Sequence, residues 1–565
     1  MRWPLVALLL TIASAGPAQA TNTVFLGGAI YTLNHRQPKA TALVVGDGHI
    51  VYVGDDRGAQ HYVKTAAHVI RLGGHMMLPG FHDAHAHPMS AGLRLLRCQL
   101  DGIKMEAKAD AAIRNCDRTA SEDWLFANGW SAKVSPPSLA KLDALVSDRP
   151  AYIATTDGFA VWVNSRTLKA AGIDPATSTL PGLEHDPQTH AFTGIVTGDA
   201  LMLVRKFRPQ PSAVQFREAF QRWSKLANGY GITSVFDAAA SAPMVDAYHA
   251  ADLAGDLKLR VVAAQLIDPK RGPEQIDDMV ARRERVRGER FRADAAKIFL
   301  DGEIGDHTAA LLQPYADQPD SRGELYVQTD ALDALVRRLD ADGFMVHMHA
   351  MGDRAVRSGL DAIERATAAN GAKDRRHQIA HIELADTADL PRFAALDVSA
   401  NLSPGWFSPD DPDMEPSEKA LGPERAALMY PAASIASHGG RLVMSSDWPA
   451  TALNPLENIQ IAVTRQPLDG GKPAKRPGER LDLAAALTAY VNDAAYVARE
   501  DGVDGTLETG KAADLIVLDR DLFKVSPLSI HKARVLLTLL DGEPVYRDRR
   551  QPWLSGVDHP KRETK

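Results

Sequence analysis

Eight short apolar segments, most of them followed by helical text, fill the middle of this chain and constrain its fold more than any other feature. They are MMLPGFHD from Met76, GITSVFDA from Gly231, RVVAAQLI from Arg260, AAKIFLDG from Ala295, FMVHMHA from Phe344, HQIAHIE from His377, DVSANLSP from Asp397 and RLVMSSDWPA from Arg441. Between them apolar residues recur at helical spacing, as at Leu332, Leu335, Val336 and Leu339. Strand-then-helix alternation builds a parallel sheet covered by helices. Eight such units favour an α/β fold of the closed (β/α)8, TIM-barrel type over an open sheet. About residues 90–225 separate the first two segments, which predicts an inserted subdomain there.

The flanks read differently. VFLGGAIYTL and ALVVGDGHIVYVGD near the start, and GTLETGKAADLIVLDRD and VLLTLLDGEPVYRD near the end, are strand-like and broken at glycine turns. Residues 21–75 and 500–555 are therefore expected to assemble one composite β-sandwich beside a barrel of residues 76–499. A chain of 565 residues has room for both.

Residues 1–20 carry a positive start at Arg2, an apolar run from Leu5 to Gly16 and the small-x-small triplet Ala18-Gln19-Ala20. That is the pattern of a secretory signal peptide cleaved after Ala20, and its run is too short to span a bilayer. A periplasmic or secreted protein without a membrane anchor is expected. Lys and Arg number 64 against 71 Asp and Glu, a formal charge of −7, so no basic excess points to nucleic acid or an anionic membrane. A small-molecule substrate is the expected partner, and the oligomeric state, a homodimer included, stays open.

The two cysteines, Cys98 and Cys116, either pair or stay as separate buried thiols. They are too few for an all-thiolate zinc site, so a metal must rest on histidine, carboxylate or modified lysine. Such residues recur at the carboxyl ends of the segments, where barrel enzymes keep their chemistry. The first segment runs into His85 and His87, which stand two apart and so point the same way on a strand. The fifth ends in His347 and His349, the sixth contains His377 and His381, and the eighth ends in Ser445-Ser446-Asp447.

With LPGFHDAHAH, DGFAVWVNS, GITSVFDA, KIFLDGEIG, HAMGDRAV, HQIAHIE, LGPERA, SSDWPATALNPL and GTLETGKAADLIVLD in this order, the chain resembles the amidohydrolase superfamily. Within it the likeness is to the YtcJ-like branch, which includes N-substituted formamide deformylases, and it spans nearly all of the chain after the leader. The resemblance implies a barrel with a composite β-sandwich and a centre of two zinc ions, other divalent metals being allowed. His85 and His87 would hold the more buried ion with Asp447, and His349 and His381 the second. Lys297 would be carboxylated and bridge both. Burial lowers a lysine pKa and leaves the neutral amine that carbon dioxide needs; the alternative is a Lys297 that pairs with an acid such as Asp301. A metal lowers the pKa of water to ~7, and Asp447 would take that proton and return it to a leaving amine. Asp447 could instead be only a ligand or a helix cap, and Asp353 reads as an N-cap for the helix after it.

Some positions depart from the family pattern. Phe159 and Phe236 stand where relatives carry histidine, Ser403-Pro404 replaces a Gln-Pro pair, and Asp237 keeps the acid of its motif. These positions are expected to face the substrate. The two phenyl rings then favour an apolar substituent, unless they pack in the core. His307 is a further candidate near the metals, or an exposed loop histidine. The function expected is an exported metal-dependent hydrolase of a non-peptide C–N bond of amide or formamide type. The alternatives are a deaminase, lactonase or carbamate hydrolase on the same site, or a catalytically idle exported binding or regulatory protein.

Overall fold

The computed structural model describes residues 22–119, 123–155, 158 and 160–557. The leader segment and Phe159 lie outside the described residues. Eight strands form one sheet: β1 (Phe81–Ala86), β2 (Ile232–Ala240), β3 (Arg260–Leu266), β4 (Phe291–Phe299), β5 (Met345–Ala350), β6 (Gln378–His381), β7 (Ser399–Leu402) and β8 (Leu442–Met444). They neighbour one another in chain order and every neighbouring pair is parallel. The two edges meet just beyond β8, where Asp447 N–H donates to His85 O (2.7 Å) and His87 N–H to Trp448 O (2.8 Å). These bonds bring the sheet to a near-closed barrel at the end that carries the histidines.

Helices cover the outside. The helix Thr329–Ala341 buries Leu332, Leu335, Val336 and Leu339, the stripe read from the sequence. Among the described residues no helix is long and apolar enough to cross a membrane.

The first apolar segment is divided between two sheets, a correction to its reading as one strand. Met76–Pro79 pairs antiparallel with Leu515–Leu518 and parallel with Ala29–Tyr31, and only from Phe81 does the chain enter the barrel. Gly80 makes the crossing, and a Cβ there would lie 2.1 Å from the Thr233 hydroxyl. Glycine permits this close approach of backbone to side chain. The six-stranded sheet that holds Met76–Pro79 combines both ends of the chain, and a four-stranded sheet packs on it over Phe25, Ile70, Met77, Leu515 and Leu537.

The insertion after β1 has a six-stranded mixed sheet and its own core around Trp130, Leu142, Ile153 and Trp162. Cys98 and Cys116, left undecided by the sequence, are joined by a disulfide in it.

Candidate metal centre

Strand alternation and two unusual backbone turns gather the polar side chains at the carboxyl end of the barrel. His85 on β1 and His349 on β5 point into the mouth from within their strands. His381 closes β6 with φ 75°, and Asp447 follows β8 with φ 53°. A left-handed conformation costs a non-glycine residue of order 1–3 kcal/mol, and here it swings an imidazole and a carboxylate inward together. Asp447 Oδ1 lies 3.5 Å from His85 Nε2 and 3.3 Å from His87 Nε2, and its Oδ2 lies 3.8 Å from His381 Nδ1. The donor atoms of His85, His381 and Asp447 all lie within 4.8 Å of one another, a group that could hold a metal ion. The His349 ring centre is 4.5 Å from that of His381.

Four buried nitrogens in this group, His85 Nε2, His349 Nε2, His381 Nδ1 and Lys297 Nζ, have no hydrogen-bond partner among the described residues. A buried polar atom left unpaired costs about 1–3 kcal/mol, so several converging on one point fit a donor set for a cation. Burial, then neighbouring positive charge, holds His85 and His381 well below the usual histidine range and lowers His349 to about 3. These rings are neutral, the form that ligates metal. Burial also brings Lys297 down to about 7. Lys297 does not pair with Asp301. That carboxylate accepts instead from the backbone N–H of Ala310 (2.9 Å), Gly352 (2.9 Å) and Met351 (3.0 Å).

The remaining candidates are placed elsewhere. Phe236 is 1% exposed and packs inside the barrel with Val262, Ala264, Ala295 and Met345. The expectation that it reaches the opening does not hold, because its strand position points the ring into the interior layer. Asp237 accepts from the Tyr248 hydroxyl (2.8 Å) on the covering helix Ala242–Leu253, and its buried carboxylate also lies within electrostatic reach of His87. His307 Nε2 pairs with Asp317 (2.8 Å) and its ring lies against Tyr315. Ser403 is buried and shares a hydrogen bond with Ser445 (2.9 Å). Asp353 is the first residue of its helix and Gly352 the cap; its carboxylate accepts from Leu312 N–H (2.8 Å) and Arg354 N–H (2.9 Å).

Asp83 and Glu303, not singled out in the sequence, join the site, as does His347, which the sequence placed at a strand end without giving it a role. His347 Nε2 lies 2.9 Å from His85 Nδ1. Its signal was present, since a residue two before His349 shares its side of the strand. Asp83 holds the Asp447 turn through Ser446 N–H (2.9 Å). Glu303, in the turn after β4, is pushed well above the usual carboxylate range by burial and then by the charges of Glu383 and Asp447. A second group of potential ligands, His82, Glu500 and Asp504, lies buried near the start of β1. There His82 Nδ1 faces Glu500 (3.5 Å) while Nε2 faces Asp504 (3.3 Å). One nitrogen per carboxylate is the geometry of a bridging imidazolium, although one donor atom from each of the three residues also lies within 4.8 Å of the others.

Residues 68–546 match the family described as "Amidohydrolase family". The chain is 28% identical to Protein LONG AFTER FAR-RED 3 of Arabidopsis thaliana, over 92% of this chain and 90% of that protein. It is 24% identical to the N-substituted formamide deformylase of Arthrobacter pascens, over 93% and 98% respectively. Among solved structures, an uncharacterized metal-dependent hydrolase from Pyrococcus furiosus superposes with a TM-score of 0.74 at 26% identity, covering 90% of this chain and all of that one.

Proposed function

We propose, from the premise that this chain belongs to the amidohydrolase family, that it is an exported hydrolase which cleaves an amide- or formamide-type C–N bond of a small molecule. The observation that carries the reading is the convergence of unpartnered histidine nitrogens, the Lys297 amine and the Asp447 carboxylate at the barrel mouth. His85, His87 and Asp447 would hold one divalent ion, zinc being expected, and His349 and His381 a second. Lys297 would bridge them as its carbamate, consistent with an amine that burial lowers to about 7. The ions would supply a water acidic enough to react near neutral pH and would polarise the substrate carbonyl.

The chain's own residues do the rest. Asp447 accepts the proton released as water adds to the carbonyl carbon, then gives it to the nitrogen as the C–N bond breaks, leaving acid and amine. Its fixed backbone, held by His85 O and by Ser446 on Asp83, keeps the carboxylate at the mouth through both transfers. Export is supported by the leader pattern and by the Cys98–Cys116 disulfide, a bond of oxidising compartments.

The test combines elemental analysis with turnover on N-substituted formamides, N-acyl amines, lactones and aminopurines, before and after chelation. About two metals per chain and chelator-sensitive amide cleavage are expected. Asp447→Asn should keep the metal and lose roughly 10²–10⁴-fold in kcat. Turnover confined to lactones or aminopurines, or an Asp447→Asn variant within a few-fold of wild type, would overturn the assignment.

A further inference from the structure

His347 has no place in the ligand set, yet it is fully buried and lies closer to His85 than the Asp447 carboxylate does. Its Nε2 lies 2.9 Å from His85 Nδ1, while the other nitrogen of His85 faces Asp447 at 3.5 Å without a hydrogen bond. A histidine that ligates through Nε2 carries its proton on Nδ1. That proton can only be donated to a nitrogen holding a lone pair, which makes His347 Nε2 the acceptor and leaves the His347 proton on Nδ1. The ring that accepts is itself fixed. Phe236 stacks on it at 5.1 Å with 28° between planes, and Phe236 is wedged among Val262, Ala264, Ala295 and Met345. The His347 and His85 rings meet nearly edge to face at 4.7 Å.

We propose that His347, backed by the Phe236 ring, is a positioning residue that holds His85 in the metal-ligating tautomer and orientation. The inference rests on the metal reading of the site. In this arrangement Phe236 serves the centre from beneath, by fixing the plane of the ring that accepts from His85. A neighbour of this kind commonly carries a carboxylate or carbonyl; a neutral imidazole does the same orienting work without adding negative charge beside Asp447.

The test exploits side-chain length. Gln at position 347 extends its amide to the level of Nε2 and can accept from His85. Asn is one bond shorter, stays polar and cannot reach. Zinc affinity of purified wild-type, H347Q and H347N protein is measured by competition with a chelating dye, alongside the thermal midpoint of each metal-free protein. H347N is expected to bind zinc roughly 10–100-fold more weakly, with H347Q within a few-fold of wild type and similar metal-free midpoints. Equal affinities for H347Q and H347N, whether both unchanged or both weakened, would overturn the positioning role. If H347N does not fold, F236L serves in its place: it keeps His347 and the apolar filling, and a few-fold weaker zinc binding is expected, unchanged binding being the contrary result. Wild-type protein that takes up no zinc or other divalent ion would overturn the metal reading and this proposal with it, whereas normal uptake with no Gln–Asn difference would overturn this proposal alone.

Discussion

Lys297 is buried completely, without a hydrogen-bond partner among the described residues, and its amine is lowered from 10.5 to about 7. The unfolded chain therefore holds this proton up to its ordinary range while the folded metal-free protein releases it near neutrality. Between about pH 7 and 10.5 the unfolded state binds more protons, so stability must rise with pH across that window, and below about pH 7 the cost of the buried group is constant. The slope from one proton is at most about 1.4 kcal/mol per pH unit. Metal-free wild type compared with Lys297→Met from pH 6 to 9 should show this extra rise above neutrality only in the wild type. Parallel curves would mean that the amine stays charged in the folded protein and cannot be the carbamate precursor. At this scale the spacing of His85 and His87 was legible because strand alternation is a property of the chain itself. The inward swing of His381 and Asp447 was not, since it depends on left-handed backbone at non-glycine residues, which no side-chain pattern announces. Phe236 was misread for a related reason: alternation tells which residues share a side, but the depth of a ring within the barrel depends on neighbouring strands.

Among the elements, the turns after β4 and β5 are joined chiefly through the Asp301 side chain, with Asp353 adding one bond to Leu312 N–H. Asp301 takes the N–H groups of Ala310, Met351 and Gly352, linking the loop beyond Lys297 to the turn beyond His349. Asp301→Ala would leave these three buried donors unpaired at about 1–3 kcal/mol each. The variant should unfold at a clearly lower temperature and bind zinc more weakly, because the turns that follow the strands of Lys297 and His349 lose these three bonds. A thermal midpoint within about a degree of wild type would show that water or the loops replace those bonds. All eight barrel strands overlap the apolar segments read from the sequence, but their limits were not legible there, and the first segment also serves a second sheet. β4 starts at Phe291, four residues before the text that suggested it, because Arg292 and Asp294 interrupt the apolar run. Arg292 is accommodated there partly because its guanidinium reaches the Ala498 carbonyl, a partner some two hundred residues away.

At the scale of the molecule, the barrel floor is tied to the returning C-terminal segment by a buried charge network. His82 bridges Glu500 and Asp504, Arg260 pairs with Asp514 (2.8 Å) and Asp541, and Ser234 donates to Glu500 (2.7 Å). The C-terminal segment cannot leave the barrel floor without exposing this network, so the barrel and the C-terminal strands should unfold together. Nothing in the local text around His82 signals it, since its partners lie more than four hundred residues on. Burial opposes a charged His82, but the adjacent carboxylates outweigh it and raise its pKa. The bridge is thus fully present below the ordinary histidine range and weakens as pH rises through the raised value. His82→Leu would strand two buried carboxylates, a loss of about 3–5 kcal/mol for a broken buried pair. The thermal midpoint should fall, and adding Glu500→Gln should recover part of the loss by removing one of the stranded charges. Metal content separates this account from its rival. A bridging imidazolium predicts unchanged metal per chain in His82→Leu, because the ligands at the mouth are untouched. A loss of one equivalent would make the floor a metal site instead, and an unchanged midpoint would show that Arg260 alone compensates the two acids.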